Sequence, residues 1–243
     1  MGRFDAQYRR CPQCGFVFVQ EPHWLKDAYA DAIHTADIGA PWRAVRHSRA
    51  TKALIEVFLR RSNRYLDYGA GNGLFVRHMR DLGYDFVGYE PHGEMAFARD
   101  FRVQDWEGGR FDLICAFEIA EHLEEPAETF SRIVARTDVV LFSTTLLPKS
   151  TPRPGHWWYY GLDHGQHVSF HSRQSLRALA ARLDCHVVSH GPDLHLLTRR
   201  RIKRRVFDFV MGERITKLVD LVCPRASLLP SDFEQLRNRS LTQ

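Results

Sequence analysis

The sequence predicts an α/β fold, Rossmann-like and mostly parallel, with helices on both faces of the sheet. Three observations carry this. The run Tyr65-Leu66-Asp67-Tyr68 ends in Gly69-Ala70-Gly71-Asn72-Gly73, and Leu74-Phe75-Val76 then opens a helical pattern. A strand entering a glycine turn and then a helix lets backbone approach a phosphate- or nucleoside-like ligand. A second short apolar run, Phe86-Val87-Gly88-Tyr89, ends in Glu90, where such folds place a carboxylate for ribose hydroxyls. Strand and helix signals then keep alternating to about residue 200.

Composition is that of a globular protein, with 44% hydrophobic and 26% charged residues in 243 and a net charge of +5. No apolar run is long enough to span a bilayer, and Met1-Gly2-Arg3-Phe4-Asp5 has no secretory apolar stretch. Five scattered cysteines argue against a disulfide framework and for a reducing, cytoplasmic setting. Six of the seven residues from Arg199 to Arg205 are basic, a run that reads first as a solvated surface.

In chain order, residues 1–23 read as part of a zinc ribbon. Cys11-Pro12-Gln13-Cys14-Gly15 is one knuckle, with Phe16-Val17-Phe18-Val19 as its hairpin strand. A structural zinc needs four ligands, so one thiol pair argues against Zn²⁺ at Cys11 and Cys14. Residues 24–62 read as helices covering the cofactor site, from the spacing of Leu54, Ile55, Val57 and Phe58. Residues 63–200 form the core. Its strands are expected at 64–68, 86–90, 101–103, 111–117, 139–145, 185–189 and 194–198, and its helices at 73–82, 126–136 and from Ser172 to Leu183. The proline-rich stretch 146–165, with Trp157-Trp158-Tyr159-Tyr160, reads as a functional loop. Residues 201–243 are expected to form one basic amphipathic helix to Val222 and a polar tail.

With Asp67-x-Gly69-x-Gly71-x-Gly73, Glu90, Gln104-Asp105 and Phe111-Asp112-Leu113 in that order, the chain resembles class I S-adenosylmethionine-dependent methyltransferases. The resemblance implies a seven-stranded sheet whose last strand is reversed. It implies that S-adenosylmethionine is held by Asp67, Gly69, Ala70, Gly71 and Gly73 at its amino-acid end. Glu90 would hold the ribose and Asp105-Trp106 the adenine, with Pro91, Gln104 and Phe117 also expected among the cofactor-binding residues.

Phe117-Glu118-Ile119-Ala120-Glu121-His122-Leu123 adds chemistry to this frame. Its E-x-x-E-H pattern is similar to the metal site of ubiquinone-type O-methyltransferases and of small-RNA 2′-O-methyltransferases, and to a motif in sugar-tailoring methyltransferases. Two readings stay open. In one, Glu118, Glu121, His122 and His167 bind Mg²⁺, Mn²⁺ or another divalent ion. In the other, His122 or His167 is a metal-free general base. The tailoring enzymes also carry a cysteine-rich ribbon where this chain has Tyr8-x-x-Cys11-x-x-Cys14-Gly15. The expected function is O-methylation of a sugar, glycan or related small metabolite, with the aromatic loop suited to stacking on a sugar face. The alternatives are metal-dependent methylation of the 2′-hydroxyl of a 3′-terminal RNA ribose, drawing on the ligand pattern and the basic run, and a non-catalytic cofactor-binding scaffold.

Overall fold

The computed structural model describes residues 5–28, 38–59 and 63–240. Its strands are β1 (Gln7–Arg10), β2 (Val17–Gln20), β3 (Tyr65–Tyr68), β4 (Phe86–Tyr89), β5 (Leu113–Ala116), β6 (Val139–Ser143), β7 (Ser169–Phe170), β8 (His186–His190) and β9 (Leu194–Thr198). Its helices are α1 (Leu25–Ala28), α2 (Ala40–Phe58), α3 (Leu74–Asp81), α4 (Pro126–Val134), α5 (Arg173–Arg182), α6 (Arg204–Met211), α7 (Glu213–Val222) and α8 (Leu229–Ser240). The main sheet has six strands in the order β4-β3-β5-β6-β9-β8, and β1-β2-β7 form a second sheet. Seven strands were expected. The missing one is Phe101-Arg102-Val103, which meets β4 through a single parallel bridge between Gly88 and Arg102. A glycine opposite gives Arg102 no side chain to pair with, so the ladder does not extend.

The chain divides into two compact units, one of residues 37–115 and 208–243, the other of residues 1–36 and 116–207. In the first, β3 runs parallel to both β4 and β5. α3 is amphipathic: Phe75, Val76 and Met79 are buried at helical spacing, and they join Leu54, Ile55, Leu66 and Phe86 in the core. Full burial of each such side chain stabilises by about 1.5–3 kcal/mol. Residues 29–37 and 60–62 of the expected helical cover lie outside the described residues.

Two C-terminal expectations need correction. The single helix to Val222 is two helices, because Gly212 is extended (φ −61°, ψ 139°) between α6 and α7. The polar tail, for which no element was expected, contains α8, which is tied to α3 by charge. Asp232 accepts from Arg80 Nη2 at 2.6 Å and Nε at 2.9 Å, and lies 2.9 Å from Arg77 Nη1. Arg80 and Asp232 are both buried. Asp232→Asn is expected to destabilise the protein by about 2 kcal/mol, because Arg77 and Arg80 lose a charged hydrogen-bond partner while Asp85 and the Phe86 carbonyl still hold Arg80. Urea unfolding of the two proteins checks this, and equal midpoints would refute it.

In the second unit, β9 is antiparallel to both β6 and β8, the reversed strand that was expected. Ser172 caps α5, its hydroxyl accepting from the Gln174 and Ser175 N–H groups. The N-terminal hairpin β1–β2 pairs with β7, matching Val17 to Phe170 and Phe18 to Ser169. Tyr159, Tyr160, Phe170 and Val17 form one buried cluster, with Tyr8 and Trp157 packed on it. The aromatic loop is therefore mostly core, while Trp158 is 77% exposed.

Candidate active site

The glycine loop follows β3 directly. Gly69, Gly71 and Gly73 have φ of +74°, +53° and +79°, a region costly for side-chain-bearing residues. The N–H groups of Gly69 and Ala70 both donate to Tyr89 O, which fastens the loop to the end of β4. Glu90 faces the same loop. Its Oε2 accepts from Gly71 N–H at 2.8 Å, and its Oε1 from the N–H groups of His92 and Gly93. A Cβ at Gly71 would meet nothing within 4 Å, whereas one at Gly73 would lie 2.9 Å from the Ala98 Cβ. Space for a ligand thus lies at Gly71, and close packing explains Gly73. Asp67 is buried beneath the loop, where burial and then the Glu90 charge push its carboxyl well above the usual range. Asp67, Gly69, Ala70, Gly71, Gly73 and Glu90 thus come together, with exposed Pro91 next in the chain.

Asp105 and Trp106 do not join this group. Asp105 Oδ1 accepts from the Glu107 and Gly108 N–H groups, closing its own turn. Trp106 is 3% exposed and packs on Tyr68 and Tyr89, with centroids 5.0 and 5.9 Å away. Both line a cleft of about 350 Å³ with Arg64, Tyr65, Asp85 and Val87, at the starting ends of β3 and β4. Gln104 is exposed and Phe117 half-buried.

In the second unit, one ligand atom each from Glu121, His122 and His167 lie within 4.8 Å of one another. His122 and His167 meet edge to face at 4.8 Å, and His164 meets His167 at the same distance. Burial, then the neighbouring histidines, lowers His122 to about 3, and burial chiefly lowers His167 as well. Both rings are neutral at pH 7, the form that ligates a metal or accepts a proton. His167 Nδ1 lies 2.6 Å from Tyr159 O, which fixes the tautomer with the proton on Nδ1 and leaves a lone pair on Nε2. Val168 N–H donates to Glu121 O, securing this segment against the E-x-x-E-H turn.

Glu118, the fourth residue expected in the set, is outside that triad. It has φ +53°, its N–H donates to Ser143 Oγ at 2.8 Å, and the same hydroxyl donates to its carboxylate. Ser143 is a partner that the sequence analysis missed, since nothing about a serine ending a strand marks it. The Tyr159 carbonyl was missed too, because its bond depends on backbone placement alone.

A family model for a methyltransferase domain matches residues 42–190, more than half of the chain. The chain belongs to that family. This methyltransferase is a class I, S-adenosylmethionine-dependent enzyme. It is similar in fold to an O-methyltransferase family 2 protein from Planctomyces limnophilus, crystallised with apigenin, at 16% identity and a TM-score of 0.52. The match covers 74% of this chain and 62% of that one. An O-methyltransferase family protein from Burkholderia thailandensis matches at 14% identity and a TM-score of 0.51, over 72% of this chain and 62% of that one. The methyltransferase thus spans about three fifths of the length of both. Magnesium protoporphyrin IX methyltransferase from Synechocystis, solved with bound S-adenosylmethionine, matches at 14% identity and a TM-score of 0.47, over 71% and 86% of the two chains. No curated protein sequence matches. Among the described residues, no helix of the methyltransferase is long and apolar enough to cross a membrane.

Proposed function

We propose that this methyltransferase moves the methyl group of S-adenosylmethionine to a hydroxyl of a sugar, glycan or related small metabolite. The observation that carries the reading is the Glu121–His122–His167 cluster, with two neutral imidazoles and a buried carboxylate. Asp67, the glycine loop and Glu90 would hold the cofactor, and the open space at Gly71 suits a ligand approaching backbone. Transfer is an in-line displacement: the acceptor oxygen forms a bond to the methyl carbon as the carbon–sulfur bond breaks, and the hydroxyl proton leaves. The protein has to hold that oxygen at about 3 Å from the methyl carbon and provide for the proton.

Glu121, His122 and His167 also fit a divalent ion. Ligand atoms sharing one ion lie at most about 4.2 Å apart, so a span of 4.8 Å needs an adjustment of a few tenths of an ångström. Two imidazoles and one carboxylate suit Mn²⁺, Fe²⁺ or Zn²⁺ better than Mg²⁺. Such an ion lowers the pKa of a coordinated hydroxyl. His167, oriented by the Tyr159 carbonyl, presents Nε2 either to that ion or to the hydroxyl proton. Exposed Trp158 supports a sugar acceptor: its ring lies 5.2 Å from Tyr159, which in turn lies 4.7 Å from His167. The basic run supports RNA less well, since Arg199 is engaged by Asp138 at 3.3 Å and Asp184 at 3.8 Å.

The test is a labelled-methyl screen over nucleotide sugars, glycans, catechols and small RNAs, with and without EDTA and added Mn²⁺. Label on a hydroxyl is expected, and His167→Ala should lower the rate by about 10²–10⁴-fold while leaving cofactor binding intact. Loss of activity in EDTA, restored by Mn²⁺, assigns the cluster to a metal. Indifference to EDTA assigns His122 or His167 as base. Label found only on nitrogen or carbon would overturn the reading, and label on RNA alone would replace it with the ribose alternative.

A further inference from the structure

The proposed transfer leaves Cys11 and Cys14 unused. Both thiols are free and half-buried, at the tip of the β1–β2 hairpin. Cys11 N–H donates to Phe16 O at 2.8 Å and Gly15 N–H to Cys11 O at 2.9 Å, so the two cysteines share one closed turn. The backbone at Cys14 and Gln13, and then the Cys14 side chain, lower the Cys11 thiol from its usual value. The turn is held from outside by α5: Ser172 Oγ donates to Cys14 O at 2.6 Å, and Gln174 Nε2 to Gln13 O at 2.7 Å. These contacts fix the turn that carries both thiols. Among the described residues, no further cysteine, histidine or carboxylate gathers with them, as happens around His122.

We propose that Cys11 and Cys14 are a reversible dithiol–disulfide site, with Cys11 the attacking sulfur and Cys14 the resolving one. The asymmetry is local. The backbone N–H groups on Cys11 stabilise its thiolate and hold it below the usual thiol value, while burial pushes Cys14 up. The oxidant is a small disulfide such as glutathione disulfide. Cys11 thiolate attacks one of its sulfurs, the disulfide bond breaks, and one glutathione leaves as thiolate and takes a proton. Cys14, deprotonated, then attacks the Cys11 sulfur of the mixed disulfide and releases the second glutathione. The protein loses two electrons and two protons, and glutathione disulfide gains them.

The full chain would be incubated with graded mixtures of glutathione and its disulfide, acid-quenched, alkylated and digested with trypsin. Cleavage after Arg10 and Lys26 yields one peptide containing both cysteines and no other. In the wild type this peptide is expected to lose two hydrogen atoms and to carry no glutathione. Cys14→Ser should retain glutathione on Cys11, and in Cys11→Ser the remaining thiol should react about 10-fold more slowly. Glutathione persisting on the wild-type peptide, or reaction at Cys223 alone, would overturn the proposal. So would stoichiometric zinc in the purified protein that must be removed before either thiol reacts. The wild-type readout stands alone should a serine variant misfold.

Discussion

Moving the protein from pH 7 to pH 5 is expected to cost roughly 6 kcal/mol of stability through three buried histidines, about 2 kcal/mol each. The raised Asp67 carboxyl partly offsets this, because it takes up its proton in the native protein first. His122 and His171 are lowered to about 3, by burial and then by neighbouring histidines. His195 is lowered to about 4 by burial, although the Thr144 carbonyl at 2.9 Å partly offsets this. The unfolded chain takes up these protons near pH 6.5, and the native protein does not until pH 3–4. The stabilising difference is therefore present above pH 6.5, shrinks as pH falls toward the native values, and is gone below them. Since whole domains are stable by only about 5–15 kcal/mol, the loss should show as a large fall in urea midpoint. His171→Leu, beside Phe16 at a ring distance of 4.9 Å, removes one proton site and should cut the pH effect by about a third. Coincident urea curves at the two pH values would refute the account.

Gly71→Arg should weaken S-adenosylmethionine binding by more than about 1,000-fold, or 4 kcal/mol, while the protein still folds. A side chain at φ +53° costs about 1–2 kcal/mol in the backbone. The larger effect is occupancy, because the arginine enters the space into which a Gly71 Cβ would point. Two neighbours separate strain from occupancy. Gly71→Ala carries the strain with little bulk and should bind with a modest loss. Gly73→Ala meets Ala98 and Met95 and should lose stability before it loses affinity. Calorimetry measures the binding and urea unfolding the stability. Normal binding by Gly71→Arg would remove the loop from the cofactor site.

The legible parts of the molecule were those written in local pattern. Short apolar runs located the strands, and three alternate glycines after Asp67 located the loop. The close spacing of Glu118, Glu121 and His122 marked a chemical turn, because residues so near in sequence must stay near in space. Features set by distant partners were not legible. Arg102 could not extend a seventh strand because the residue opposite is Gly88. Glu118 turned to Ser143, Trp106 sank between two tyrosines, and Asp232 drew a polar tail into a helix. Each depends on a residue more than ten positions away, so sequence distance hid it.

The β2–β7 pairing bears on how the chain can be shortened. The family match begins at residue 42, which invites trimming away everything before it. Yet Val17 and Tyr8 cover Phe170 and Tyr160, so a chain starting at residue 42 would leave a fresh aromatic surface bare. Bare surface of that kind drives self-association. Insolubility of the trimmed chain would reflect an uncovered sheet edge and need say nothing about catalysis. Any minimal version of the enzyme should keep the hairpin.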